Sequence, residues 1–354
     1  MFFSRGLGSN SHSQWDSASL NVEGMMPKTV NGAFDSFLSN TVNLDSTRTS
    51  TARASRDFLK GKIQGFTDFF PLYSEKDIDF GSFARRTKIR PLDDIDMIFT
   101  LSAHGCTWEE TYDGTVYMHT PSDSPEYKDF RHDSSYRLNS RKVINHFIRK
   151  LSSLAHYQNA ELHRNLNAAT LKLTSYDWNF DIVPAFFTTA DSAGKTYYII
   201  PNGNGDWMKT DPRLDRERTT SINKQCDGYV LNTIRAIKYW QRRPTMPSMS
   251  SYLLENMVLN YFASEGRASQ FVDINIINIL YYISNNIWLP VNDPKGIQGN
   301  LNKLSYDDKI KIQTKANADF QIAIAAYEYE KANDHEKAIR EWRNVFGLEF
   351  PQYG

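Results

Sequence analysis

Twenty residues, Phe80 to Phe99, constrain this chain more than any others. From Asp94 onward, Ile95, Met97 and Phe99 alternate with Asp94, Asp96 and Ile98, which is the period of a strand. Side chains at i and i+2 share a face about 6.5 Å apart, so Asp94 and Asp96 point the same way. Two carboxylates converging to ~4 Å at an effective dielectric of about 20 repel by about 4 kcal/mol. A divalent cation removes that repulsion. Earlier in the stretch, Gly81-Ser82 forms a small-residue turn, followed by the basic segment Arg85-Arg86-Thr87-Lys88. Gly81 allows a backbone to approach a phosphate closely, and Ser82 adds a hydroxyl and an N–H. The sequence carries its own control, Asp77-Ile78-Asp79, just before the turn. Those two are expected to be solvated carboxylates on a strand running into it.

Composition narrows the class. The chain has 354 residues, 40% hydrophobic and 13% aromatic, enough for two domains with sizeable cores. Its 41 basic residues balance 41 acidic ones, which argues against a surface built to hold nucleic acid permanently. Cys106 and Cys226 stand alone, so neither a disulfide framework nor a cysteine-cluster zinc site is expected. Met1-Phe2-Phe3 is too short for a signal-peptide core, and no apolar run reaches membrane-spanning length. A soluble, cytoplasmic protein without a membrane partner is the expectation.

In chain order, residues 1–25 read as a loosely held arm rich in Ser, Asn and Gly. Residues 30–66 read as helices forming a long spine, with one apolar stripe at Phe34, Phe37, Leu38 and Val42 and another at Ala52, Phe58, Leu59 and Ile63. Residues 103–138 read as an insertion with short strands, and residues 139–155 as a helix capped by Asn139 or Ser140. Strands follow over 169–173, 179–186 and 197–201. Pro184 restricts the middle one to an edge or a strand end. Asp181 lies alone among Phe180, Ile182 and Val183, as a buried hydrogen-bonding aspartate would. Residues 202–218 read as loop. Five helices then run to Gly347. Strands followed by helices make the class α+β, with two lobes. The expected division is an arm over 1–25, a core with its spine over 26–205, and a helical lobe over 206–354.

Gly81-Ser82, Asp94-Ile95-Asp96 and Asp181 in Phe-Asp-Ile-Val-Pro-Ala-Phe together resemble the polymerase-β-like nucleotidyltransferases. More narrowly, the chain is similar to bacterial relatives of cyclic GMP-AMP synthase and oligoadenylate synthase, the CD-NTases. That resemblance rests on Thr87-x-Ile89-Arg90-Pro91, Ala236-Ile237-Lys238-Tyr239-Trp240, Ser250-Ser251-Tyr252, Asn292-Asp293-Pro294 and Trp342-x-x-x-Phe346-Gly347. It spans residues 30 to 350.

The resemblance implies a mixed-sheet core and a C-terminal helical lobe with the active site in the cleft. It implies that Asp94, Asp96 and Asp181 hold two Mg²⁺ ions, or Mn²⁺ in their place. Gly81 and Ser82 would hold the donor triphosphate, Lys238 and Ser251 would face phosphates, and Tyr252 would stack on a base. From their residue types alone, Lys238 is equally a solvated helix lysine and Tyr252 equally a core residue. The substrates implied are NTPs (ATP, GTP or both), with room for a regulatory protein partner and no stable nucleic-acid partner. The implied product is a cyclic di- or trinucleotide signal in anti-phage defence. Two other readings share the core: a template-independent RNA or linear oligonucleotide polymerase, and a non-catalytic nucleotide-binding module. Two lone cysteines depart from the zinc insertion by which the animal enzyme grips DNA, since a tetrahedral site needs four ligands.

Overall fold

The computed structural model describes residues 26–354; the arm expected over 1–25 lies outside them. The chain divides into two compact units. One takes the described residues up to Asp45, Thr219–Asn292 and Gly299–Gly354, and the other takes Ser46–Arg218 and Asp293–Gln298.

Helix α1 (Val30–Phe37) starts at Thr29, whose side chain accepts from the Gly32 N–H at 3.1 Å, and runs into a π-helical turn over Leu38–Val42. The next helix, α2 (Ser46–Gln64), begins after a break. The spine expected over 30–66 is therefore two helices, and the boundary between units falls at the break. The first apolar stripe is wholly buried. In the second, Phe58 is 46% exposed, lying edge-on to His156 and under the Lys62 ammonium.

The second unit is built on one sheet. Its elements are β1 (Ile78–Phe80), the short α3 (Gly81–Ala84), β2 (Asp94–Leu101), β3 (Thr107–Glu110), β4 (Thr115–His119), α4 (Ser140–Ser152), β5 (Glu161–Asn165), β6 (Ala168–Lys172), β7 (Asn179–Phe187), β8 (Tyr198–Pro201) and β9 (Trp207–Thr210). The order is β1-β2-β7-β8-β9-β4-β3, with β6 also on β7 and β5 on β6. The β2–β7 pair is parallel and the others are antiparallel. Ile78, Ile98, Val183, Ala185 and Ile200 form an apolar cluster, while Phe99 meets Phe147 of α4. Asn139 caps α4, accepting from the N–H groups of Arg141 and Lys142.

Two expectations need correction here. Pro184 sits inside β7, a strand paired on both sides. It is tolerated because β6 pairs only residues 179–182 and β8 only 186–187, leaving Pro184 with β2 alone. The stretch 202–218 is not simply loop, because it contains β9 and the start of α5 (Pro212–Gln225). Trp207, fully buried, donates its indole N–H to the Leu138 carbonyl at 2.9 Å.

The C-terminal helices are α6 (Val230–Gln241), α7 (Ser251–Glu265), α8 (Val272–Asn286), α9 (Tyr306–Lys331) and α10 (His335–Phe346). Ile274, Ile276, Ile277, Ile279 and Leu280 are all fully buried, and Asp273, Asn275 and Asn278 are buried between them, so the first half of α8 is enclosed on every side. Phe34 of α1 packs edge-on against Trp342 of α10, and Phe37 against Tyr239 of α6. Trp240 donates to the buried Asp319 at 2.6 Å.

Candidate active site

The parallel pairing of β2 with β7 builds the site. Ile95, Met97 and Phe99, each 1% exposed, fix one face of β2 in the core, and alternation turns Asp94 and Asp96 to the other. The register sets Asp96 directly against Asp181 and Asp94 against Asn179. Adjacent strands lie about 4.8 Å apart, so two aspartates distant in sequence stand side by side. Asp181 also accepts a hydrogen bond from Thr170 Oγ1 of β6 at 2.6 Å. The hydrogen-bonded aspartate and the site aspartate are the same residue.

β1 delivers the glycine. Phe80 pairs with Asp96 across the β1–β2 ladder, and Gly81 follows with a φ of +71°. A Cβ on Gly81 would lie 1.8 Å from Asp96 Oδ2. Only glycine fits there, for its conformation and for its space. The Ser82 carbonyl accepts from the N–H groups of Thr87 at 2.9 Å and Lys88 at 3.1 Å, folding the basic segment back over the turn.

That fold places Lys88, a residue the sequence reading passed over. Its side chain, 12% exposed, forms ion pairs with both Asp93 and Asp94. Burial works against the ammonium, but its hydrogen bonds to Asp93 and Asp94 outweigh that and raise its pKa. Burial also opposes charge on Asp93, where Lys88 prevails and the pKa falls. On Asp94 burial prevails over Lys88, and the pKa rises. Asp96 is pushed up to about 7, first by burial, then by Asp94 and Asp181, against the pull of Lys88 and Arg85. The signal available for Lys88 was its place in a basic run six residues before Asp94.

Among the described residues, no group of three or more His, Cys, Asp or Glu side chains is arranged to hold a metal ion. The carboxylates are taken up singly, Asp94 by Lys88 and Asp181 by Thr170. The donor chemistry nevertheless suits a hard divalent cation, which takes oxygen ligands. Asp94, Asp96 and Asp181 stand on paired positions of neighbouring strands, and burial first, then the charges of Asp94 and Asp181, raises the pKa of Asp96.

Lys238, Ser251 and Tyr252 belong to the other unit. Lys238 on α6 is buried, not solvated, with its ammonium 3.7 Å from Glu255 Oε2 on α7; their side chains are 7% and 2% exposed. Glu255 supplies an opposite charge beside the buried lysine. Ser250 is the N-cap of α7 and Ser251, exposed, its first residue. Tyr252 is half-buried, and its carbonyl accepts from Asn256 Nδ2 at 2.9 Å.

Residues 28–223 match the Second Messenger Oligonucleotide or Dinucleotide Synthetase domain. That span contains Gly81, Ser82 and all three aspartates, and ends before Lys238. The probable cyclic nucleotide synthase IK1_05630 of Bacillus cereus (strain VD146) is 44% identical over 333 residues, 93% of this chain and 99% of that protein. Two solved structures of E. coli MS115-1 CdnC share the fold. The one with ATP has a TM-score of 0.65 and the complex with HORMA-deltaN 0.64; each is 17% identical and covers 90% of this chain and 98% of that one. Among the described residues, no helix is long and apolar enough to cross a membrane. A domain match over more than half of the chain, and a relative aligned along nearly its whole length, show that the chain belongs to the Second Messenger Oligonucleotide or Dinucleotide Synthetase family of bacterial nucleotidyltransferases.

Proposed function

We propose that this enzyme joins nucleoside triphosphates (ATP, GTP or both) into a cyclic di- or trinucleotide that acts as a signal in anti-phage defence. The observation that carries the reading is the β2–β7 register, which sets Asp181 against Asp96 beside the Gly81 turn. In each transfer a ribose hydroxyl attacks the α-phosphorus. A new O–P bond forms, the bond to the β-phosphate oxygen breaks, and pyrophosphate leaves. Asp94, Asp96 and Asp181 would hold the divalent ions, two Mg²⁺ or Mn²⁺, whose charge stabilises the attacking and leaving oxygens when bound.

The chain's own groups do the positioning. Asp181, steadied by Thr170, orients the attacking hydroxyl and takes its proton. Gly81 and Ser82 cradle the triphosphate. Lys238 and Ser251 are assigned to phosphate and Tyr252 to stacking on a base. Work in the cytoplasm and a regulatory protein partner complete the proposal; for the partner, the support is the CdnC complex with HORMA-deltaN.

The test is incubation of the purified protein with labelled NTPs and Mg²⁺, then phosphatase treatment and mass spectrometry. A short phosphatase-resistant product is expected. Extended RNA or a linear oligonucleotide would replace the proposal with a polymerase, and no product under any condition would favour a binding module.

A further inference from the structure

We propose that Lys88 is the resident counter-ion of the metal-free site, and that a divalent cation competes with it for Asp94. The inference rests on the site reading above and adds how the site is loaded. Lys88 is nearly buried, yet its ammonium reaches two carboxylates at once. The Asp94 oxygen it holds, Oδ1, is on a strand face shared with Asp96. A hard cation binding that oxygen at about 2.1 Å would bring a second positive charge onto the carboxylate that Lys88 already neutralises.

Asp93 makes the exchange feasible. It lies outside β2, but its backbone is fixed by the Asn179 N–H, which donates to the Asp93 carbonyl at 2.9 Å. Lys88 can therefore leave Asp94 and stay on Asp93, so its charge is never stranded in a half-buried place. Lysine suits this role, because a compact ammonium on a flexible stem can shift between neighbours where a planar guanidinium would lock onto one. The arrangement makes Lys88 a competitor for the metal and not a ligand of it. It keeps Asp93 and Asp94 paired until the cation arrives.

The experiment measures Mn²⁺ binding to the full, nucleotide-free protein by electron paramagnetic resonance of the free ion. Lys88→Met is expected to tighten binding about tenfold, while Lys88→Arg, which keeps the charge, gives no such tightening. Equal or weaker binding by Lys88→Met, or no Mn²⁺ binding by either protein, overturns the proposal. A second readout needs no variant. Mass spectrometry after reductive methylation should show Lys88 several-fold more reactive once Mn²⁺ is added, and unchanged reactivity overturns it equally. Asp96→Asn separates this inference from the site reading. If Asp96→Asn binds Mn²⁺ as well as wild type, the site itself is misassigned, and the Lys88 proposal falls with it. If Asp96→Asn loses Mn²⁺ and Lys88→Met gains nothing, only the Lys88 proposal fails.

Discussion

Two Asp-x-Asp pairs lie on either side of the Gly81-Ser82 turn, and the fold treats them oppositely. Asp77 is absorbed into structure: its Oδ1 accepts from the Thr100 N–H at 2.8 Å and its Oδ2 from Gln64 at 2.9 Å. Burial raises its pKa in spite of both bonds. Asp79 pairs with Arg56 at 2.9 Å. The solvated pair expected from the sequence is in fact a partnered one. Asp94 and Asp96 have the same spacing but meet a third carboxylate across a parallel ladder, and burial together with the neighbouring carboxylates raises the pKa of Asp96. The same local motif is partnered scaffold in one place and part of the proposed site in the other. The difference is made by the neighbouring strand.

Three changes break or sharpen this contrast. The largest effect is expected from Gly81→Ala. Its methyl group would collide with Asp96 Oδ2, and displacement of a site group by about 1 Å costs on the order of 10²-fold in rate. Steady-state product formation checks this; a rate near wild type would show that the close approach is incidental. Next is Asp77→Ala, which strips the Thr100 N–H of its side-chain acceptor. It should cost about 1–3 kcal/mol of stability, read from denaturant unfolding, while kcat per folded enzyme stays close to wild type.

The smallest effect is in pH. Asp96 ionises near its ordinary 3.8 in the unfolded chain and near about 7 in the fold. Below the first value both states are protonated and nothing is lost. Stability contributed by the retained proton then falls as pH rises to about 7, and levels off above it. In EDTA, the melting temperature of Asp96→Asn should match wild type near pH 4 and exceed it increasingly up to about pH 7. A constant difference across that range would remove the raised Asp96 pKa from the account.

Much of this could be read from the residues because it follows local rules. Ile95, Met97 and Phe99 alternate and are buried; Phe34, Phe37, Leu38 and Val42 form a stripe and are buried. What escaped depended on partners far away in the chain. Pro184 looked fit only for a strand end, and is central because its flanking strands leave it a gap. Phe58 fits a buried stripe by spacing but lies over His156 at the surface. β9 is four residues between turns, too short for its period to stand out. Lys88 looked like one cation in a basic run, and only the fold-back over Ser82 brings it to Asp93 and Asp94.

The most direct test of the three-aspartate site is Asp181→Asn, assayed with all four NTPs, Mg²⁺ and mass spectrometry of the product. The change alters one oxygen and leaves the Thr170 pairing geometry in place. The expected result is loss of all nucleotide product with a melting temperature close to wild type. A fully active Asp181→Asn enzyme would contradict the claim that β7 supplies the third carboxylate.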